Sequence, residues 1–430
     1  MAWLRAYCDP DLGNQEIADR LSLAGDEVER IDPVGVGATD AFVVGKVLVA
    51  GPHPDADRLS VCSVDDGSPE PRTIVCGAPN VAGGQTVAVA LPGAIMPDGT
   101  KLGEAKLRGV KSSGMILAED EVGVGRTTPG SWCWTTASRA GTPLIEYLQI
   151  ADEAVELEIN PNRPDCLSVY GIAREVHALT AAPLGDDPAG DDAEPSGSDQ
   201  ASDHAAVEIA DPDICLRYTA RVFEDVKIGP SPLWLKARLA AAGQRPIYNV
   251  VDITNYVMLL CGQPMHSFDL DRVRGGRIVV RKASQGERMT TLDDMERSFD
   301  SSMALICDAE GPTGIAGVMG GQISEVSEHT TRVLMEAATW VGPNILRTSG
   351  TLGLRTEAST RFEKGLHPEY AVAGQRLAAR LMVELCGARL VPGTIDEFPT
   401  RSSSAKCRCA SRACSACWAR RSRARTSWRS

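Results

Sequence analysis

Four short Val-rich runs dominate residues 42–93: VVGKVLV (43–49), RLSVCSV (58–64), RTIVCGA (72–78) and QTVAVALPG (85–93). Gly, Pro and Asp residues separate the runs, a pattern typical of β-strands joined by tight turns. About five strands of this length, spread between Phe42 and Val122, are enough to close a small barrel. We therefore predict a small β-barrel in this part of the chain.

Helical patterns flank the predicted barrel. An apolar stripe predicts a helix over residues 12–24, which Gly25 ends as a C-cap. A second helix is predicted over residues 167–179, with Asp165 as its N-cap.

A change of composition separates this half of the chain from the next. Residues 186–206 are acidic, rich in Pro, Gly and Ser and nearly free of large apolar groups, which predicts a flexible linker. Strands then alternate irregularly with helices from residue 207 to about 398, which predicts an α+β domain.

The charge distribution restricts how the protein can meet nucleic acid. The 430 residues carry a net charge of −13, yet the segment from Arg401 onward holds nine basic and no acidic residues. The first 400 residues therefore carry 35 basic against 57 acidic groups, a net charge of −22. Such a body does not attract polyanions unspecifically, so a nucleic-acid contact needs a local basic patch. Lys106, Arg108 and Lys111 form the best such patch, although a merely solvated strand face is the alternative.

Apolar runs and cysteines give further expectations. No run of about 18 apolar residues occurs and the first residues do not resemble a signal peptide, so we expect a cytoplasmic protein without a membrane contact. The chain holds 13 cysteines, among them Cys407, Cys409, Cys414 and Cys417 at the spacing of a metal site. His53, Asp55 and Asp57 lie in a Pro-containing loop without the helical spacing of zinc ligands, so a turn is the better prediction there.

Chemically distinctive residues concentrate between Arg245 and Lys364. Gly317, Gly320 and Gly321 lie between apolar residues, where their backbone can approach a ligand and offer N–H groups, or can simply form a tight turn. His266 follows a turn and can orient a water molecule or donate to an ester carbonyl, unless it only satisfies local structure. Glu336, in an apolar run, can accept a hydrogen bond from a ligand hydroxyl, although a solvated edge position is equally compatible.

Taken together, these motifs resemble the β subunits of bacterial phenylalanine–tRNA ligases over residues 3 to about 398. The matching segments are HPDADRLSVCSV, IVCGAPNV, VALPGAIMPDG and KLRGVKSSGM in the barrel, and RPIYNVVDITNYVM, GQPMHSFDLD, AGVMGG and LRTEASTRFEKG beyond it. The resemblance implies an α+β multidomain fold in which an oligonucleotide-binding barrel is inserted in an N-terminal α+β domain. The implied parts are 1–38 with 151–185 as the N-terminal domain, 39–150 as the barrel, 186–206 as an acidic linker and 207–398 as an α+β editing domain.

The resemblance also implies the function and its residues. In this family the barrel contacts tRNA, here through Lys106, Arg108, Lys111 and Arg58, and the editing domain hydrolyses mischarged tyrosyl-tRNA(Phe). Carried over by motif, Glu336 accepts the tyrosyl hydroxyl, Gly317, Gly320, Gly321 and Ala358 shape the pocket, and His266, Arg245, Asn255 and Thr356 hold the aminoacyl-adenosine end and a water.

Partners and cofactors follow from the same resemblance. The expected partners are tRNA(Phe) and an α subunit in an α2β2 heterotetramer. ATP and Mg²⁺ serve the whole enzyme through the α subunit and domains that are absent here, so this chain is expected to bind no cofactor or metal. It is expected to be a truncated β subunit that cannot aminoacylate alone.

Two stretches depart from the family pattern. If Ser131–Trp134 is encoded TCA TGG TGC TGG after a codon ending in A, reading one base earlier gives Ile-Met-Val-Leu and restores the family's strand. Our hypothesis is that residues from about 126 to 139, and from about 402 to the end, are translated out of frame. Residues 399–430 are then an aberrant tail, and its cysteine array is an artefact of codon usage.

Two other functions remain compatible with the sequence. One is a non-catalytic tRNA-binding module whose editing pocket is vestigial, and the other is a free-standing aminoacyl-tRNA deacylase.

Overall fold

The computed structural model describes residues 1–124, 133–134 and 139–399. Residues from Met1 to Glu397 form one compact unit, to which the following description refers. Its α-helices are α1 Ala2–Arg5, α2 Asn14–Ala24, α3 Val169–Thr180, α4 Ala201–His204, α5 Leu233–Ala241, α6 Asn249–Cys261, α7 Gly342–Leu352, α8 Glu357–Phe362 and α9 Glu369–Cys386.

The strands of the first half are β1 Glu27–Gly35, β2 Phe42–His53, β3 Ala56–Asp65, β4 Arg72–Cys76, β5 Thr86–Ala90, β6 Ala105–Leu107, β7 Val110–Ser112, β8 Met115–Ile116, β9 Cys133–Trp134 and β10 Ala151–Glu158. Those of the second half are β11 Ala206–Ile209, β12 Cys215–Glu224, β13 Met265–Asp269, β14 Arg277–Lys282, β15 Arg288–Thr290, β16 Glu296–Ser298, β17 Ala304–Cys307, β18 Pro312–Ile315, β19 Met319–Gly320, β20 Val333–Trp340, β21 Arg389–Leu390 and β22 Ile395–Glu397.

The Val-rich runs form one antiparallel sheet. Its strand order is β4-β3-β2-β5-β8, and β9 also pairs with β5. One face buries Val43, Val47 and Val89 in an inner core, whereas the other face packs against further elements of the chain, including Ala237 of α5. The predicted small barrel is therefore confirmed as a nearly closed, barrel-like sheet.

The helices that flank the barrel pack on a two-stranded antiparallel sheet of β1 and β10. Helix α2 ends at Gly25 with φ +107°, as predicted. The predicted cap of α3 is wrong, because the Ser168 side chain accepts the hydrogen bond from Gly171 N. Asp165 instead lies in a short 3-10 turn before the helix and binds Arg163.

The acidic segment 186–206 is not the flexible linker that its composition suggested. Both carboxylate oxygens of Asp192 accept hydrogen bonds from Arg221, at 2.6 and 2.7 Å. The segment also donates to the backbone of Leu390 and buries Ala189 and Ala201. Composition failed here because an acidic segment can pack on a body that offers it a cation and free carbonyl groups.

Residues 207–397 have mixed α+β structure, with two five-stranded sheets, the two-stranded sheet of β15 and β16, and a helical layer. One sheet has the order β13-β20-β12-β21, with β22 also on β12, and the other has the order β11-β14-β17-β18-β19. Alternate residues of β20 point to opposite faces. Val333 and Met335 pack in a core with α6 and α9, whereas Leu334 and Ala338 pack in a core with residues of the other sheet. Glu336 therefore belongs to the face between the two sheets.

Among the described residues, no helix is both long and apolar enough to cross a bilayer.

Candidate functional site

Strand pairing brings His266 and Glu336 together. In β20, Glu336 is the direct antiparallel partner of His266 in β13 and of Ala220 in β12 on its other side. Directly opposed residues of antiparallel strands point to the same face. The small Ala220 side chain leaves space beside the carboxyl group.

A cavity of about 190 Å³ opens at this point between the two sheets. It is smaller than the roughly 300 to 1,000 Å³ of sites for drug-sized ligands. Of the predicted site residues, those that line it are His266, Glu336, Gly317, Gly320 and Ala358. The rest of the wall is mainly apolar and includes Leu292, Trp340 and Phe362.

Glu336 is a buried carboxyl group with 5% of its surface exposed, and the alternative of a solvated edge position is wrong. Tyr218 donates a hydrogen bond from its hydroxyl to Glu336 Oε2 at 3.0 Å. Burial raises the pKa of Glu336 to about 8, against the smaller lowering effect of this hydrogen bond. At neutral pH, Glu336 is therefore mostly a neutral carboxylic acid, which can both donate and accept a hydrogen bond.

His266 provides the second polar group of the cavity. Its Nε2 is buried and has no hydrogen-bond partner among the described residues, and its ring packs edge-on against Phe268 with centroids 4.6 Å apart. Burial lowers the pKa of His266 to about 4. The imidazole is thus neutral at pH 7, and a ring nitrogen without a proton can accept a hydrogen bond.

The glycines of the loop act mainly through close packing. A Cβ on Gly320 would lie 2.4 Å from His266 Cε1, and one on Gly317, whose φ is +66°, would lie 2.7 Å from Trp340 Cδ1. Gly321 does not line the cavity, and its N–H donates to Thr313 O at 2.7 Å. For Gly321 the structure thus corrects the expectation of a free N–H group in favour of the tight-turn alternative.

Three further predicted residues lie outside the cavity lining. Arg245 is exposed in the connection between α5 and α6, and Asn255 is half-buried on α6, which packs on the opposite face of the sheet. Thr356 accepts a hydrogen bond from Ser359 N as the cap of α8 and donates to Val318 O at 2.9 Å. The structure thus gives Thr356 a role in holding the glycine loop.

Sequence reasoning missed several residues of the site. Tyr218 bonds Glu336, Trp340 and Phe362 form a wall, and Leu292 lies at the rim, where its N–H donates to Gly320 O at 3.1 Å. The alternation along β12 places Tyr218 on the same face as Ala220. Only the pairing of β12 with β20 reveals that this face meets Glu336.

The predicted basic patch lies on the hairpin of β6 and β7. Lys106 and Lys111 are direct cross-strand partners, and Lys111 pairs with Glu104 at 2.8 Å. Arg108, at the turn, has φ +41°, an uncommon value for a residue other than glycine. All three side chains and that of Arg58 on β3 are exposed.

His53 tethers this hairpin to the barrel. Its Nδ1 accepts a hydrogen bond from Asp55 N at 3.0 Å, so its Nε2 carries the proton and donates to Leu107 O at 3.1 Å. Both ring nitrogens are thus engaged in holding a turn, as predicted for residues 53–57.

Asp165, Cys166 and Glu175 form a group of potential metal ligands among the described residues. The Arg163 guanidinium already binds Asp165 Oδ2 at 2.9 Å and Glu175 Oε1 at 2.7 Å. The positive charge that balances these carboxylates therefore comes from Arg163, in the place where a metal ion would otherwise bind.

The stretches that we regard as out of frame fall almost entirely outside the described residues. From the first stretch the structure describes only Arg139 and the backbone of Cys133–Trp134, which pairs with β5. The tail from residue 402, with its four cysteines, lies wholly outside them.

Comparisons with known proteins match the barrel-like sheet and the α+β region separately. A family described as a putative tRNA binding domain matches residues 42–132, and a family described as the B3/4 domain matches residues 214–387. A solved N-terminal fragment of the phenylalanyl-tRNA synthetase β subunit from Pyrococcus horikoshii is 15% identical, covers 47% of this chain and 61% of the fragment, and has a TM-score of 0.27. This structural likeness is too low to carry an argument.

Similarity to curated proteins is much stronger. The phenylalanine–tRNA ligase β subunit of Moorella thermoacetica is 47% identical over 408 residues, which are 93% of this chain and 50% of the relative. The same subunit of Halalkalibacterium halodurans is 45% identical over 402 residues, with 92% and 49% covered. The chain thus spans about half the length of the curated relatives that it matches. Across nearly all of its own length, the chain belongs to the family of the phenylalanine–tRNA ligase β subunits.

Proposed function

We propose that this chain binds tRNA(Phe) and hydrolyses tyrosyl-tRNA(Phe) that has been charged in error, as part of an α2β2 phenylalanine–tRNA ligase. One observation carries the proposal. A small apolar cavity holds a neutral carboxyl group and a neutral imidazole on directly opposed strand positions. These are the groups needed to recognise a phenol and to handle a proton.

The need for such a site follows from the limits of selection by binding. A hydrophobic pocket for phenylalanine rejects the added hydroxyl of tyrosine by only about a hundredfold. A second site that requires the hydroxyl can remove the product that escapes. Glu336 is suited to that recognition, because its only hydrogen-bond donor among the described residues is Tyr218.

Hydrolysis needs a water molecule, and we assign its orientation to His266. The unpartnered Nε2 accepts a proton from water as the water oxygen bonds to the ester carbonyl carbon. The ester C–O bond then breaks, and the ribose oxygen of the tRNA takes up the proton. No nucleophilic cysteine or serine is required for an ester that is already activated.

The remaining assignments complete the proposal. Thr356 supports the glycine loop through its hydrogen bond to Val318 O, and the hairpin with Lys106 and Lys111 contacts tRNA phosphates together with Arg58 and Arg108. Because α6 packs on the face of the sheet opposite the cavity, we leave Arg245 and Asn255 out of the substrate contacts. We place ATP and Mg²⁺ in the α subunit and in parts of the enzyme outside this chain.

Hydrolysis of tyrosyl-tRNA(Phe) by the purified 430-residue chain tests the function. Glu336→Ala and His266→Ala should each reduce the rate by at least tenfold. Glu328→Ala and His329→Ala serve as matched controls, since these two side chains are 84% and 87% exposed. Background-level hydrolysis by the wild-type chain and all variants would refute the proposal and leave a non-catalytic tRNA-binding module. A rate that survives both site substitutions would refute the assignment of Glu336 and His266 to the hydrolytic site.

A free-standing deacylase stays the second candidate that the sequence leaves open. Adding a purified α subunit separates the two. An unchanged rate and no co-elution with the α subunit on size-exclusion chromatography would favour the free-standing enzyme.

A further inference from the structure

We propose that Tyr218 is a positioning residue that sets the specificity of the cavity, because its hydroxyl holds one oxygen of Glu336 and leaves the other for the hydroxyl of the ligand. This inference rests on the proposed function and adds to it a residue outside the cavity wall. It explains how a flexible carboxyl group can present a single oxygen to a substrate.

The geometry starts from strand register. Tyr218 lies two residues before Ala220 on β12, and Ala220 is the direct partner of Glu336. Side chains two residues apart on a strand share a face, so the Tyr218 ring reaches Glu336 diagonally. Its hydroxyl donates to Glu336 Oε2 at 3.0 Å. None of the described residues donates a hydrogen bond to Oε1, and Glu336 lines the cavity whereas Tyr218 does not.

Packing prevents Tyr218 from moving away. The residue is fully buried, and its ring meets Trp340 edge-on with centroids 6.4 Å apart and an interplanar angle of 81°. Trp340 is itself a wall of the cavity and packs against Phe362. The donor that fixes Glu336 is therefore as rigid as the wall.

The constraint on Glu336 matters because the last torsion of a glutamate side chain is broad and roughly two-fold. Without the Tyr218 hydroxyl, the carboxyl group loses the hydrogen bond that fixes its orientation, and the ordering must then occur on binding. A ligand without a hydroxyl makes no use of Oε1. Loss of the Tyr218 hydroxyl should thus weaken the binding only of substrates that carry a phenol.

Such a role predicts a separation of kinetic constants. The hydrogen bond to the phenol exists in the bound ground state and in the transition state alike, so weakening it raises KM and leaves kcat unchanged. Damage to the fold would instead lower the fraction of active protein and with it kcat.

The test compares Tyr218→Phe with Tyr256→Phe in the full chain, using tyrosyl-tRNA(Phe) as substrate. Tyr256 is the matched control, because it is also buried and its hydroxyl bonds Arg238 in a core that does not contain Glu336. Tyr218→Phe should raise KM by about tenfold, the size of one net hydrogen bond, at unchanged kcat. Tyr256→Phe should leave both constants unchanged.

The possible results separate this inference from the proposed function. If the wild-type chain hydrolyses the substrate but Tyr218→Phe has the KM of Tyr256→Phe, or lowers only kcat, the inference is overturned and the function stands. If the wild-type chain does not hydrolyse the substrate, a direct binding measurement with tyrosine ethyl ester decides. An unchanged dissociation constant in Tyr218→Phe then overturns the inference, and an increase by about tenfold supports it.

Discussion

Glu336 and His266 face each other from neighbouring antiparallel strands, and burial pushes their pKa values in opposite directions. The pKa of Glu336 rises to about 8 and that of His266 falls to about 4. Between these values the acid keeps its proton and the base stays free of one. Pairs of titratable groups whose environments separate their pKa values are a common arrangement for acid and base roles.

The raised pKa of Glu336 predicts how stability depends on pH. A carboxyl group whose pKa is higher in the folded chain favours the folded state most below the unfolded value of 4.5, and this contribution is lost as the pH rises toward 8. Glu336→Gln removes the titration but keeps the acceptor for Tyr218. The free energy of unfolding of this variant, relative to wild type, should therefore increase between pH 5 and pH 8, on the order of 4 kcal/mol at full titration.

Urea unfolding at several pH values measures this difference. Glu384→Gln is the control, because this exposed side chain of α9 lies outside the cavity. A constant difference between Glu336→Gln and wild type would contradict the assigned protonation of the cavity.

The lowered pKa of His266 predicts the acid limit of hydrolysis. The free chain keeps a neutral imidazole until the pH falls to about 4, so kcat/KM should stay level through pH 6.5 and fall only near pH 4. The same shift makes the folded chain lose stability as the pH falls from 6.5 to 4, because the unfolded chain binds the proton first. An activity limb centred near pH 6.5 would show that the proton acceptor is not this buried imidazole.

The packing of Gly320 against His266 gives a steric prediction. A Cβ at residue 320 would lie 2.4 Å from Cε1 and 2.8 Å from Nε2 of the imidazole, so Gly320→Ala must displace the ring. We expect a cost of about 1 to 3 kcal/mol in the free energy of unfolding, together with a fall of kcat for tyrosyl-tRNA(Phe).

Gly350→Ala is a suitable control for this substitution. Gly350 lies on α7, and a Cβ added there would have no neighbouring atom within 4 Å. Alanine in a helix is favoured over glycine by roughly 0.5 to 1 kcal/mol, so this variant should be no less stable than wild type. Equal kcat values for the two variants would contradict the prediction that a Cβ at residue 320 impairs hydrolysis by displacing the His266 ring.

The fold was predictable where a pattern is local. The Val-rich runs predict the barrel-like sheet, and Gly25 predicts the end of α2, because strand alternation and a left-handed cap depend on neighbouring residues. The site was predictable only in part. Its resemblance to a family identified Glu336 and His266, yet the contact with Tyr218 depends on residues 118 positions apart along the chain. The packing of the acidic segment depends in the same way on Arg221, which no local pattern connects to Asp192.

The cross-strand pair of Lys106 and Lys111 predicts an effect on RNA binding and on stability with opposite signs. Like charges directly opposite each other on a hairpin destabilise it, and Lys106 has no carboxylate within ion-pair distance among the described residues, whereas Lys111 has Glu104. Lys106→Ala should therefore weaken binding of tRNA(Phe) and reduce the slope of log K against log salt by about 0.9. The same substitution should raise the free energy of unfolding by a few tenths of a kcal/mol, up to roughly 1 kcal/mol.

Filter binding at several salt concentrations measures the slope. Lys282→Ala is the control, because Lys282 lies in the other half of the chain and pairs with Asp211. Equal slopes for the two variants would mean that the hairpin makes no phosphate contact.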